Sequence, residues 1–182
     1  MIVEEITYRP LALDECEQIR QIDASQYIAR AWRKVEGALR LVNIDYLDPD
    51  FPEGIEQHIC RLRTTIEQGG AAIGAFRSDG LLVGFATLNS PPFGVRHRYA
   101  LMDQLFISQA FRRRGIGRKL LLYMASEARV RNVQKLYICA ASAEETIAFY
   151  RSVGCVDALE INDALANADL RDIQLEFSVT SI

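Results

Sequence analysis

Apolar positions along the chain follow two rhythms, every second residue and every third or fourth, and the changes of rhythm mark out its elements. Residues 2–9 alternate weakly and predict a first strand. Leu13, Cys16, Ile19 and Ile22 then recur at three-residue spacings, a helical stripe over 13–22. Segments 27–35 and 38–44 are rich in β-formers on either side of Glu36-Gly37, which predicts a hairpin. Residues 45–52 hold Asp48, Asp50 and two prolines and predict a loop. Over 54–68, Ile55, Ile59, Leu62 and Ile66 share one helix face, and Gly69-Gly70 ends that helix. Two extended runs, 71–77 and 81–89, flank Ser78-Asp79-Gly80, whose Asp-Gly pair signals a hairpin. A loop with Pro91-Pro92 leads into a third run, 100–108. The helix from 115 to about 131 carries Ile116, Leu120, Leu121, Met124 and Ala128 on a broad apolar face. Residues 135–140 read as a short buried strand and 143–153 as a helix closed by Gly154. Ile173, Leu175, Phe177 and Val179 alternate through a last, half-buried strand. Three consecutive strands ahead of a β-α-β unit predict an α/β arrangement, a mixed sheet covered by helices.

Composition narrows the class. A chain of 182 residues predicts a single domain with a substantial core. Its 49% hydrophobic and 25% charged residues are ordinary for a soluble globular protein. The net charge of −3 argues against a general nucleic-acid binder, although a local basic patch is present. Cys16, Cys60, Cys139 and Cys155 form no CxxC pair, and with only His58 and His97 there is no zinc spacing, so no metal is expected. The start lacks the basic and apolar regions of a signal peptide. No run approaches the roughly 18 apolar residues of a membrane span. A cytoplasmic location with reduced thiols is the default expectation.

The patch carries the chemistry. The run 100–108 leads through a short turn into Arg112-Arg113-Arg114-Gly115-Ile116-Gly117-Arg118, where a helix begins. The first turn of a helix offers unpaired N–H groups and the positive end of the macrodipole, a site suited to phosphate. Gly115 and Gly117 let backbone approach the anion, and the arginines add charge. The run is neither a P-loop nor a Rossmann fingerprint, since it lacks GxxxxGK[ST] and a third glycine.

Arg112-x-x-Gly115-x-Gly117 resembles the [Q/R]xxGx[G/A] acetyl-CoA motif of the GNAT N-acetyltransferase superfamily. Leu105-Phe106-Ile107-Ser108-Gln109-Ala110-Phe111 is similar to the strand ending that precedes that motif, with Gln109 and Phe111 where proline and tyrosine are common. Arg113 stands where the family often has glycine. Ala148-Phe149-Tyr150-Arg151-Ser152-Val153-Gly154-Cys155 resembles the family's A-x-x-F-Y-x-x-x-G-F segment, with Cys155 in place of the aromatic residue. The motifs cover roughly residues 71–155. The resemblance implies a central, mostly antiparallel sheet with helices on both faces, an acetyl-CoA core over 71–155 and an acceptor region within 1–70.

It also implies direct transfer, in which an amine attacks the thioester and CoA thiolate leaves. The donor site then comprises Leu105, Phe106, Ile107, Arg112, Arg113, Arg114, Gly115, Ile116, Gly117 and Arg118, with Ser142 at the pantetheine position where asparagine is common. The backbone N–H of Ile107, at a strand bulge, is assigned to the oxygen of the tetrahedral intermediate. Tyr150 fits the general acid, although a Phe-Tyr pair on a helix is also ordinary core. Asp103 is the candidate base. Two-residue alternation places it on one face with Leu105 and Ile107, although a solvated strand-end carboxylate fits it equally.

Trp32, Tyr46, Asp45, Asp48 and Asp50 suit a cationic amine, and the same aspartates suit a plain turn. The expected partner is a small-molecule amine, with no nucleic acid and no membrane. The hairpin at 27–44 offers apolar strand surface for pairing two copies of the chain as a homodimer. Acetylation of a protein N-terminus or lysine, and a non-catalytic acyl-CoA sensor, are the competing readings.

Overall fold

The computed structural model describes residues 5–181, so the first part of the strand expected over 2–9 lies outside the described residues. Among those residues, seven strands form one sheet and two form a separate hairpin. Strand β1 (Ile6–Pro10) is followed by a 3-10 helix, Leu13–Gln21, and by the hairpin strands β2 (Gln26–Val35) and β3 (Ala38–Asp48). Helix α1 (Ile55–Glu67) leads into β4 (Ala71–Arg77), β5 (Leu82–Leu88) and β6 (Tyr99–Ile107). Then come α2 (Ile116–Val130), β7 (Lys135–Ala140), α3 (Glu144–Ser152), β8 (Val156–Asp157), α4 (Asp163–Ala168) and β9 (Ile173–Ser178). The main sheet runs β1-β4-β5-β6-β7-β9-β8, and every pairing is antiparallel except β6 with β7. That mixed, mostly antiparallel sheet between helices is the predicted class.

Each sheet face has its own core. On one, Leu120, Leu121, Met124, Ala125 and Ala128 of α2 lie against Val83, Met102, Leu136 and Ile138, with Ile147 and Tyr150 of α3 beside them. On the other, Cys16 and Ile19 of the 3-10 helix and Ile59 and Leu62 of α1 pack on Ala72, Phe76, Leu82, Phe85 and Phe106. The three-residue spacing of Leu13, Cys16, Ile19 and Ile22 is the period of a 3-10 helix, which is the form those residues take.

Two expectations need correction. The loop read over 45–52 is shorter, because β3 continues to Asp48. Asp45 is left-handed (φ 48°) where the register slips between Ile28 and Arg30, so the ladder absorbs it as a bulge and resumes. Aspartate suits that conformation, which is why the segment reads as a turn. The segment 155–172 shows no periodic pattern in the sequence, yet it contains β8 and α4, the latter capped by Asn162 Oδ1 accepting from the Leu165 N–H at 3.1 Å. Both are too short for periodicity to register.

A buried ionic knot ties β6, β7 and β9 together at one end. Tyr99 Oη and Lys135 Nζ each donate to Glu176 at 2.5 Å, and the Leu159 N–H donates at 3.0 Å. Burial alone would raise the Glu176 carboxyl, but the bonds from Lys135, Tyr99 and the Leu159 amide outweigh it and hold the pKa below the usual 4.5. Its stabilising contribution is therefore present above the unfolded-state value and lost as pH falls through the lower folded one. Glu176→Ala, which strands a buried ammonium, is expected to cost about 3–5 kcal/mol in urea unfolding at neutral pH. An unchanged urea midpoint would remove the knot from this account.

Candidate active site

The site lies where β6 and β7 part. They pair for three residues only, Tyr99 with Lys135, Ala100 with Leu136 and Leu101 with Tyr137. Beyond that, β6 continues on β5 as far as Ile107, while β7 continues on β9 as far as Ala140. A wedge opens between their C-terminal ends. Ser108 N–H donates to Val83 O at 2.8 Å, and in register Phe106 faces Phe85. Antiparallel alternation then turns the peptide groups of Leu105 and Ile107 away from β5, into the wedge. Ile107 O accepts from Arg112 Nε at 3.0 Å. Because β7 pairs with β6 only as far as Leu101, the Ile107 N–H and the Leu105 peptide have no strand partner on that side. Phe106, named with them from sequence, has its peptide on β5 and its ring among Phe51, His58 and Phe85.

The arginine-glycine loop closes the mouth of the wedge. Gly115 caps α2 in the left-handed conformation (φ 81°) with no side-chain cap, so the N–H groups of Ile116, Gly117 and Arg118 point outward unpaired. Ile116 buries its side chain in the core. A Cβ at Gly117 would sit 3.1 Å from the Phe149 ring and 3.8 Å from Ile107, so this glycine lets β6, α2 and α3 converge on one point. Arg112 is half-buried, and desolvation lowers its pKa against the pull of Asp23. Arg113 and Arg118 are exposed, and Arg114 lies over the Phe111 ring at 4.9 Å. Arg113 adopts φ 59°, the conformation that explains a glycine preference at its position.

Tyr150 belongs to the core cluster against which Leu105, Ile107 and Phe149 pack. It is 8% exposed, and burial raises its pKa, with Cys155, Asp172 and Cys139 adding to the shift. Its hydroxyl makes no hydrogen bond to a described residue, yet no buried side-chain oxygen is left unsatisfied, so that hydroxyl reaches open space. Ser142, the residue expected at the pantetheine arm, also anchors the hairpin. Its Oγ accepts from Arg33 Nη1 at 2.6 Å and its carbonyl accepts from the Trp32 N–H at 2.8 Å. Together with the Arg30–Glu144 ion pair, these contacts dock the hairpin on the start of α3, over the wedge.

Asp103 does not share a face with Leu105 and Ile107. The β5–β6 register slips so that Thr87 faces Gln104 and Leu88 faces Met102, leaving Asp103 as the extra residue of a bulge. The bulge lies there, four residues before Ile107, and no register shift occurs at Ile107 itself. Asp103 and Gln104 consequently both face α1. Arg61 grips Asp103 with two bonds, Nη2–Oδ1 at 2.6 Å and Nε–Oδ2 at 3.0 Å, and Gln104 meets His58 at 2.8 Å.

An open strand pair, a glycine-started helix beside it and a buried, unbonded tyrosine define an acyl-CoA-dependent transferase. Residues 35–155 match the model of the acetyltransferase (GNAT) family, so the chain belongs to that family, with acetyl-CoA as cosubstrate. Its fold is similar to that of nourseothricin acetyltransferase at TM-score 0.71 and 19% identity, covering 96% of this chain and 98% of that one. A protein assigned as a streptothricin acetyltransferase from Bacillus anthracis, in complex with acetyl coenzyme A, aligns at TM-score 0.67 and 14% identity over 96% and 98%. PaiA N-acetyltransferase from Thermoplasma acidophilum, in complex with coenzyme A, aligns at 0.59 and 18% over 96% and 99%. No curated protein matches the sequence.

The backbone of the loop generates a prediction with opposite signs two residues apart. Gly115→Ala puts a Cβ on a left-handed residue and is expected to cost about 1–2 kcal/mol. Arg113→Gly relieves the same strain, partly offset by glycine's entropy, and is expected to leave stability equal or higher by up to about 1 kcal/mol. Urea unfolding of the two variants checks this, and a comparable loss in both would be inconsistent with it.

Proposed function

We propose that the protein transfers the acetyl group of acetyl-CoA to a primary amine of a small molecule, by direct attack with both substrates bound. The observation that carries this reading is the interrupted pairing of β6 with β7, which leaves the Leu105 peptide and the Ile107 N–H without a strand partner beside the cluster that holds Tyr150. Leu105 and Ile107 bind the donor by backbone hydrogen bonds. The unpaired N–H groups at Ile116, Gly117 and Arg118, with the charge of the neighbouring arginines, hold its pyrophosphate. The Ile107 N–H stabilises the carbonyl oxygen as negative charge develops on it. A C–N bond forms, the C–S bond breaks, and Tyr150 protonates the departing sulfur.

Burial pushes the thiols of both Cys139 and Cys155 up to about 12 and raises the Tyr150 hydroxyl as well, so the phenol keeps its proton at neutral pH and has one to donate. On the acceptor side, the half-buried carboxylates of Asp103 and Asp172 favour a cationic amine. Asp103 is already matched by Arg61 and shapes that side. Streptothricin is the first acceptor to try, because two proteins of similar fold are named as nourseothricin and streptothricin acetyltransferases.

Thiol release from acetyl-CoA, measured across streptothricin, spermidine, glucosamine, L-lysine and a lysine-containing peptide, tests the reading. Turnover of one of the small amines is expected, with Tyr150→Phe at least about 10-fold slower at neutral pH and acetyl-CoA affinity retained. Turnover confined to the peptide, or acetyl-CoA binding without turnover of any acceptor, would contradict it.

A further inference from the structure

The last strand starts at the open end of the wedge. Ile173 of β9 pairs with Ala140 of β7, so Asp172 lies one residue before that pairing, beside the segment leading into α3. Ile173 packs toward the α2 core, whereas Gln174 meets Cys139 on the opposite face, with Cys139 Sγ 3.3 Å from Gln174 Oε1. Alternation places Asp172 on the side of Gln174, the face that carries Cys139, Asp103 and Arg61. Its charge acts on both the Cys139 thiol and the Tyr150 hydroxyl.

Asp172 is a half-buried carboxylate without a partner. Its main chain is tied down, with its N–H on Asp169 O at 3.1 Å and its carbonyl accepting from Gln174 Nε2 at 3.5 Å. Its carboxylate makes no hydrogen bond or ion pair with a described residue. The neighbouring cation, Arg171, is spent on Asp169 through two bonds at 3.0 and 2.7 Å. Arg61 is spent on Asp103. Arg33, whose charge reaches Asp169, is held by Ser142 Oγ. A charge left uncompensated in a partly desolvated position calls for a cation supplied from outside.

We propose that Asp172 accepts the proton of the acceptor amine, an assignment that rests on the acetyl-transfer reading. The ammonium form of the substrate pairs with the Asp172 carboxylate. One N–H proton passes to it, the freed lone pair attacks the acetyl carbon, and Tyr150 supplies the proton that leaves with sulfur as CoA-SH. As the amide forms, the nitrogen loses its second surplus proton to the Tyr150 phenolate, and Asp172 releases its own proton to solvent, which closes the balance.

The environment tunes this group. Burial, then the like charges of Asp169 and Glu53, raise its pKa to about 6 against the opposing pull of Arg171. Cys139 stays a neutral thiol and Tyr150 a neutral phenol through the working range. A carboxyl tuned there is ionised at neutral pH and becomes protonated, and inactive as a base, as pH falls through about 6.

The test measures kcat/KM against pH for the fastest small amine of the panel, comparing wild type, Asp172→Asn, Asp172→Glu and Asp103→Asn. The expected result is a loss of about 100-fold or more at neutral pH in Asp172→Asn. The break near pH 6 should vanish in that variant, with coenzyme A affinity unchanged by calorimetry. Asp172→Glu should recover part of the rate with a displaced break, and Asp103→Asn should keep the break in place. Near-wild-type kcat/KM in Asp172→Asn, or survival of its break, would overturn the assignment while leaving acetyl transfer standing. A break abolished by Asp103→Asn instead would also overturn it. A wild type that acetylates no small amine would overturn the acetyl-transfer reading, and this assignment with it.

Discussion

The parting of β6 and β7 after three paired residues is the constraint on which the rest depends. A sheet satisfies its peptide groups through its neighbours, and an interior strand with an unpaired stretch is costly unless something else bonds to it. Here each strand is held on its outer edge, β6 by β5 and β7 by β9, so neither can close the gap without breaking a ladder. The Glu176 knot clamps the paired end, where Tyr99 and Lys135 lie opposite each other. The open end leaves the Leu105 peptide and the Ile107 N–H without a strand partner, and helix α2 begins beside them. On the proposed reading, a donor with amide groups along its arm completes the interrupted sheet.

A single extra residue then sorts the wedge into two sides. Without the bulge at Asp103, alternation would aim that carboxylate at the face shared by Leu105 and Ile107. With it, Asp103 turns toward α1 and is consumed by Arg61, while the peptides beyond keep their alignment. One side is built of backbone and arginines, and the other of carboxylates, Cys139 and Arg61. Tyr150 stands between them, its hydroxyl influenced by Cys139 and Asp172. The hairpin β2–β3 covers this junction through Ser142 and Glu144, which leaves Tyr27, Leu39, Tyr46 and Leu47 exposed on its surface.

Much of this was legible in the sequence because it is local. Hydrophobic period located α1, α2, α3 and the strands of the main sheet other than the two-residue β8. The glycines at 115 and 117, with the charge around them, marked the helix start. The left-handed φ of Arg113 accounts for the glycine that is common at its position. What stayed hidden was set by register and by distant partners. A bulge adds one residue without leaving a compositional trace, so Asp103 was aimed at the wrong face. Asp45 looked like a turn because aspartate suits positive φ whether or not the strand goes on. Ser142 sits at the family's pantetheine position, but the 109 residues separating it from Arg33 concealed its bond to the hairpin. Asp172 had no motif at all, and its isolation follows from Arg171 being paired with Asp169.

Amide hydrogen exchange, read residue by residue by NMR with and without saturating acetyl-CoA, addresses the central claim most directly. Phe106 and Ser108, already bonded to β5, should exchange slowly in both states. Leu105 and Ile107 should exchange quickly in the free protein and become protected when the donor binds. Leu105 and Ile107 amides that are equally protected with and without acetyl-CoA would contradict a donor site formed by the parting of β6 and β7.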